Sequence, residues 1–154
     1  MNEIAARDEQ ATSKLLDGLV WLGQMIERHM DEAVQPLGLS VAKLEVLCVL
    51  VQKGEPIPLG VLSRELHCVK SNITQLVDRL EADKLVRRMP DPNDRRSVLA
   101  VITEEGSERC DEGWQALNKA KQGILNGLPA DDRKQLVSLL EHLYEDQGHE
   151  FVSP

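Results

Sequence analysis

Ser71, Asn72, Gln75 and Arg79 lie on one side of a stretch whose other side is Ile73, Leu76, Val77 and Leu80. The apolar set recurs at i, i+3, i+4 and i+7, the spacing of one helix face. The opposite face offers hydroxyl, amide and guanidinium groups, which hydrogen-bond base edges or phosphates. Asn72 and Gln75 suit adenine, whose major-groove edge offers one donor and one acceptor to a single amide. Lys70 and Arg79 suit phosphate, and Thr74 adds a hydroxyl to the same stretch. The competing reading is an ordinary solvated helix face.

The segment after that helix decides between the two. The pattern changes near Asp83-Lys84. Leu85 to Met89 and Val98 to Ile102 are short runs of β-branched and apolar residues, as paired strands require. Pro90 to Asp94 contains two prolines, which have no N–H to donate, so a loop is predicted there. Asp94-Arg95-Arg96-Ser97 then sits at or near the hairpin tip, with Arg88 in the preceding strand. A polar helix beside a hairpin tipped with two arginines points to a winged helix-turn-helix. In such a fold the helix enters a major groove, and the wing reaches phosphates or a minor groove, where arginine is drawn by the negative potential.

A net charge of −8 over 154 residues argues against simple nucleic-acid binding until its distribution is seen. From Arg64 to Ala100 there are eight Lys/Arg against six Asp/Glu, a net of +2, leaving ten against twenty elsewhere, a net of −10. Lys84, Arg87, Arg88, Arg95 and Arg96 crowd into the hairpin and its approach. Positive charge focused on an acidic body fits a DNA-binding edge. A charged hairpin alone reads equally well as a solvated surface; the helix beside it favours nucleic acid.

The elements that must hold this site are mostly helical. Residues 1–11 read as a loose arm, with a long helix from Thr12. Leu15, Leu19, Leu22, Ile26, His29 and Ala33 form a seam for another helix. Leu16, Val20, Trp21, Met25 and Met30 widen it beyond what a peripheral helix needs, which points to an oligomer contact. Pro36 and Gly38 end this helix. Ser40 caps a second, Val41 to Gln52, with Leu44, Leu47, Cys48 and Val51 inward. Glu55 to Pro58 is extended, a candidate third strand. Leu59 to Leu66 is a third helix, and His67-Cys68-Val69 turns into the polar one. Thr103 caps a long helix to about Asn126, and Asp131-Asp132 opens a last one bearing Leu136, Leu139, Leu140 and Leu143.

Other chemistry is thinly supported. Nothing resembles a Gly-rich phosphate loop, a Gly-x-Ser-x-Gly elbow or a catalytic carboxylate pair, so no enzyme and no cofactor are expected. Cys68 lies near a helix N-terminus with His67 and Lys70 close by, a setting that lowers a thiol's pKa, so it is the redox candidate; the plainer reading is a small buried hydrophobe. Cys48 reads as core and Cys110 as unremarkable, and the three cysteines form neither a disulfide framework nor a zinc motif. His29, His67, His142 and His149 are too scattered for a sequence-local metal site, so no metal is expected. His29, near Trp21 and Met25 on the apolar seam, is a candidate polar group in a small-molecule cavity. No apolar run is long enough to span a membrane, and the polar N-terminus implies a cytoplasmic protein.

With these residues in place, the chain resembles the MarR/SlyA family of bacterial transcriptional regulators over nearly its whole length. One signature is Ser71 to Glu81 followed by Leu85-Val86-Arg87-Arg88. The more specific one is Asp91-Pro92-Asn93-Asp94-Arg95-Arg96-Ser97, followed by Leu99 and Ile102-Thr103-Glu104-Glu105-Gly106. The resemblance implies a mainly α fold, with a winged helix-turn-helix module at 40–103 inside a single domain of 1–154. It implies helical dimerisation regions at 12–37 and 104–147 and a homodimer on a pseudo-palindromic operator. Arg96 would enter the minor groove, with Asp94 and Arg95 shaping the wing, and a small-molecule effector would modulate a repressor. Expected DNA contacts are therefore Lys70, Ser71, Asn72, Thr74, Gln75, Arg79, Arg88, Asp94, Arg95 and Arg96. The alternatives are a thiol sensor acting through Cys68 and a winged-helix module that binds protein instead of DNA. One departure stands out: the family's Leu-Gly-Leu-Ser turn is here Leu66-His67-Cys68-Val69. It puts valine where a hydroxyl normally caps the helix, so Ser71 is expected to take over and start it later.

Overall fold

The computed structural model describes the backbone of residues 2–66, 69–94, 96–146 and 148, with side chains except those of residues 2–8 and Lys70. The elements run α1 (Asn2–Val34), a 3-10 turn (Gln35–Leu37), α2 (Val41–Lys53), β1 (Ile57–Pro58), α3 (Leu59–Glu65), α4 (Lys70–Ala82), β2 (Val86–Pro90), β3 (Val98–Ile102), α5 (Glu104–Leu125) and α6 (Ala130–Asp146). They form two compact units, residues 1–120 and 121–154. No single helix among the described residues is long and apolar enough to cross a membrane.

The core of the first unit is aliphatic. Leu44, Val46, Leu47 and Leu50 of α2 meet Leu62 of α3, Ile73, Val77 and Leu80 of α4, and Val86 and Ala100 of the sheet. The predicted apolar face of α4 is thus the buried one, with Leu76 packed at its margin. On α2 the expected inward set needs correction. Val51 is exposed and Cys48 half-buried, while Val46 and Leu50 are fully enclosed. The helix is covered by α3, α4 and the sheet together, so its buried arc is wider than one stripe.

The sheet is antiparallel in the order β1-β3-β2. The hairpin register pairs Val86 with Ile102, Arg88 with Ala100 and Pro90 with Val98. Pro90, predicted in the loop, therefore closes β2. That strand lies at the sheet edge, where a missing N–H removes no ladder bond. The short strand expected before α3 is β1, with Ile57 opposite Ala100.

The start of α1 also needs correction. The helix runs from Asn2, not from Thr12. No glycine or proline stands between Asn2 and Thr12, and Ala5, Ala6 and Ala11 are strong helix formers, so nothing local breaks the backbone pattern.

The joint between α4 and β2 is tightly made. The Leu85 N–H donates to the Leu80 carbonyl at 2.9 Å and the Lys84 N–H to the Glu81 carbonyl at 3.0 Å. That pair of bonds is a Schellman cap, which needs a left-handed residue at its centre. Lys84 fills it with φ 63°, the one positive φ outside glycine among the described residues. A side chain there costs about 1–2 kcal/mol, and glycine's extra freedom in the unfolded chain returns part of that. Lys84→Gly is therefore expected to stabilise the protein by about 0.5–1 kcal/mol in a urea titration.

The joint between β3 and α5 explains the Thr-x-x-Gly signature. The Thr103 hydroxyl accepts from the Gly106 N–H at 3.0 Å, capping α5 as predicted, and donates to the Lys84 carbonyl at 2.8 Å. Gly106 is buried against β2's entry, and a Cβ there would fall onto the Leu85 carbonyl oxygen. Further along α5, Gly113 meets α2: a Cβ there would lie 2.8 Å from Leu44 Cδ1 and 3.0 Å from Leu39 Cδ1. Arg109 fastens the same region by donating to the Leu37 carbonyl at 2.6 Å.

In the second unit, α6 is amphipathic. Leu136 and Leu140 are half-buried, while Val137, Leu139 and Leu143 remain exposed.

Candidate nucleic-acid interface

α4 presents Ser71, Asn72, Gln75 and Arg79 on its exposed side, with Thr74 half-buried between them. The four exposed side chains form no hydrogen bond or ion pair with the described residues. Two turns of helix therefore offer hydroxyl, amide and guanidinium groups to solvent. This polar face stands because the other face is locked into the core by Ile73, Val77 and Leu80. The backbone of Lys70 opens the helix; its side chain is not among those described.

The helix starts with a defect. Val69 is the N-cap, extended at φ −65° and ψ 141°, with no side-chain cap bond. Ser71 does not replace it, and the helix begins at Lys70, not later. Core burial of Ile73 overrides the missing cap. Val69→Ser supplies an oxygen within reach of the free first-turn N–H groups, and is expected to add about 1 kcal/mol of stability. A melting temperature raised by about 2–4 °C would show it.

The wing is shaped by its own carboxylates. Asp94 Oδ1 accepts from the Arg96 N–H at 3.0 Å, and the Asp94 carbonyl accepts from the Ser97 N–H at 2.9 Å. Asp91 repeats the device, accepting from the Asn93 N–H at 2.9 Å. Such side-chain-to-backbone bonds two residues on set a turn's shape. Asp94 is thus a shaping residue whose carboxylate is already engaged. Arg96 projects outward, exposed, and makes no ion pair with any described residue. Arg95 lies outside the described residues, as do His67 and Cys68.

Arg88 departs from expectation. Its guanidinium is turned onto α4, with Nη1 2.6 Å from Asp78 Oδ1 and Nη2 donating to the Thr74 carbonyl at 3.1 Å. Its backbone N–H donates to Glu81 Oε1 at 3.0 Å. Arg88 is a strut between β2 and the polar helix, not a free cation. The reason is tertiary: the β2 register sets it opposite the one stripe of α4 that carries carboxylates.

Arg64 joins the wing, although its own helix gives no sign of it. Arg64 of α3 and Arg96 of the wing line a common groove of about 570 Å³, together with Asp91 and Asp94. Thirty-two positions separate the two arginines, so no local spacing could pair them. The predicted effector group is less assembled. Trp21 is 67% exposed, His29 is exposed and Met25 half-buried along one side of α1.

Comparison with known proteins supports the same assignment. A profile of the MarR family matches residues 39–98. The multiple antibiotic resistance protein MarR of Escherichia coli K12 is 30% identical over 142 residues, covering 87% of this chain and 95% of that protein. A cysteine-to-serine mutant of the E. coli protein, solved with operator DNA, superposes with a TM-score of 0.70 at 28% identity, covering 84% of this chain and 93% of that one. CouR from Rhodococcus jostii RHA1, solved with p-coumaroyl-CoA, superposes with a TM-score of 0.64 at 26% identity, covering 81% of this chain and 87% of that one. The helices, the three-stranded sheet and the likeness along the chain agree with these relatives, which are regulators and not enzymes: the chain belongs to the MarR family of winged helix-turn-helix transcriptional regulators.

Proposed function

We propose that this chain is a sequence-specific DNA-binding repressor that acts as a homodimer on a pseudo-palindromic operator. The observation that carries this is the exposed polar face of α4, whose exposed side chains find no partner among the described residues, on a chain whose wing carries the exposed Arg96 in a groove shared with Arg64. Ser71, Asn72, Thr74, Gln75 and Arg79 read or clamp the major groove, with Lys70 at the helix start. Arg96 enters the minor groove, Asp94 and Arg95 shape its approach, and Arg64 adds a phosphate contact. The operator complex of the E. coli relative supports the reading.

Dimer formation is supported by apolar surface left open on single helices. Leu15, Leu16, Val20 and Trp21 are exposed on α1, and Val137, Leu139 and Leu143 on α6. A second copy covering residues 12–37 and 104–147 removes that surface from water. It also places two copies of α4 about one duplex turn apart, roughly 34–36 Å.

A small-molecule effector is supported by the p-coumaroyl-CoA complex of CouR. We place it on the α1 side chains Trp21, Met25 and His29, whose remaining walls must come from the dimer. A cytoplasmic location follows from a partner that is chromosomal DNA.

Selection of bound sequences from a random duplex pool tests the reading. A palindromic consensus is the expected product. Failure to retain any duplex at low salt overturns DNA binding and leaves a winged-helix module that binds protein.

A further inference from the structure

The sequence offers no cysteine framework, yet the fold assembles a pair. Cys48 of α2 and Cys110 of α5 are 62 positions apart, and their sulfurs lie 3.1 Å apart. A disulfide needs about 2.05 Å between sulfurs, so closure takes a movement of about 1 Å. The helices are held at this distance independently. One turn away on each, Gly113 of α5 meets Leu44 of α2 so closely that an added Cβ would lie 2.8 Å from Leu44 Cδ1.

The two thiols are not equivalent. Cys110 is buried, whereas Cys48 is half-buried. Both border an open groove of about 390 Å³ whose rim includes the exposed Trp114 and Val51. The hydrogen bond shared with Cys110 holds the Cys48 thiol below its ordinary pKa, although burial and the nearby Glu45 and Asp111 carboxylates oppose this. The same bond, with burial, pushes the Cys110 thiol up. Cys48, the less buried sulfur, is the one an oxidant in the groove reaches, so it is the attacking sulfur and Cys110 the resolving one.

We propose that Cys48 and Cys110 form a redox-modifiable dithiol that a hydroperoxide converts into an intrachain disulfide, stapling α2 to α5. The Cys48 thiolate attacks the distal oxygen of the hydroperoxide. The O–O bond breaks, and the alkoxide leaves and takes a proton to become an alcohol. Cys48 is now a sulfenic acid. The Cys110 sulfur attacks the Cys48 sulfur, the S–O bond breaks, and the hydroxyl departs with the Cys110 proton as water. Two thiols are oxidised by two electrons and one hydroperoxide is reduced to alcohol and water. The site is distinct from Cys68 and independent of the DNA-binding assignment. It joins a helix of the winged module to the long helix that comes after the wing.

The test uses the full-length chain with Cys68→Ser, which leaves two cysteines, treated with stoichiometric hydrogen peroxide. The expected product loses about 2 Da, has no free thiol, carries a crosslink between the α2 and α5 peptides, and reverts with dithiothreitol. It should melt higher than the reduced protein by about 5–10 °C, since the bond closes a long loop. Peptide mapping of the oxidised wild-type chain gives the same answer should the variant fold poorly. With Cys110→Ser, Cys48 should instead accumulate as the sulfenic acid. Two thiols surviving peroxide, or oxygen added to Cys48 in the parent chain with no crosslink, overturns the proposal.

Discussion

Arg96→Ala is expected to lower duplex affinity by about ten- to a hundredfold at moderate salt, with the melting temperature unchanged. The guanidinium is exposed and has no ion-pair partner among the described residues, so folding loses nothing with it. Binding loses a cation at the groove, and the slope of log affinity against log salt should fall by about one. The contrast is Arg88→Ala. That change removes the bonds to Asp78 and the Thr74 carbonyl and leaves two carboxylates of α4 facing each other's field. The cluster is partly exposed and solvent-screened, so a loss of about 1–2 kcal/mol is expected. Its melting temperature should drop by about 2–8 °C, and its weaker duplex binding should follow from a loosened α4. Fluorescence anisotropy with a labelled duplex, run beside thermal melts, separates the two. Undiminished affinity of the Arg96 variant would remove the wing from the interface.

Gly106→Ala should be the most destabilising of the glycine-to-alanine changes at helical positions among the described residues. The added Cβ meets the Leu85 carbonyl oxygen, and 2.9 Å away lies Ile102 Cδ1. A carbonyl held in the α4–β2 joint cannot rotate aside, because the Leu85 oxygen also accepts from the Thr103 N–H at 3.1 Å and shares the single Thr103 hydroxyl proton with the Lys84 carbonyl. Either α5 backs away and gives up its cap, or the hairpin root shifts. A loss of about 3 kcal/mol, near the upper end for overpacking, is expected. Gly113→Ala is the internal comparison. Its clash is with the ends of Leu44 and Leu39, which can change rotamer, so a smaller loss of about 1 kcal/mol is expected. Urea titrations of the two variants should rank them in that order. Equal midpoints would show that the Leu85 carbonyl is less fixed than its bonding to Thr103 implies.

The periodic elements are legible in the sequence because their information is local. The face of α4 that carries Asn72 and Gln75 is written into the spacing of Ile73, Val77 and Leu80, since a helix can bury only the stripe its own sequence makes apolar. The hairpin is equally plain: its runs are β-branched and apolar, and its two prolines leave only an edge or a loop open to them. The first turn of α4 is harder. A missing hydroxyl at Val69 suggests a later start, but capping contributes about 1 kcal/mol, and burial of Ile73 in the first turn contributes more.

The sequence alone therefore determined a winged module with a polar helix, a basic hairpin and apolar flanking helices. Tertiary structure alone decided which of those groups are available. Arg88 and Arg96 differ little as residues in a basic hairpin, yet sheet register sets Arg88 against Asp78, while Arg96, in the loop beyond the paired strands, has no ion-pair partner among the described residues. Cys48 and Cys110 are unrelated along the chain and become neighbours only where α2 and α5 cross at a glycine. Spacing along a chain encodes the direction a side chain points from its own element; the partner it meets depends on how closely two elements pack.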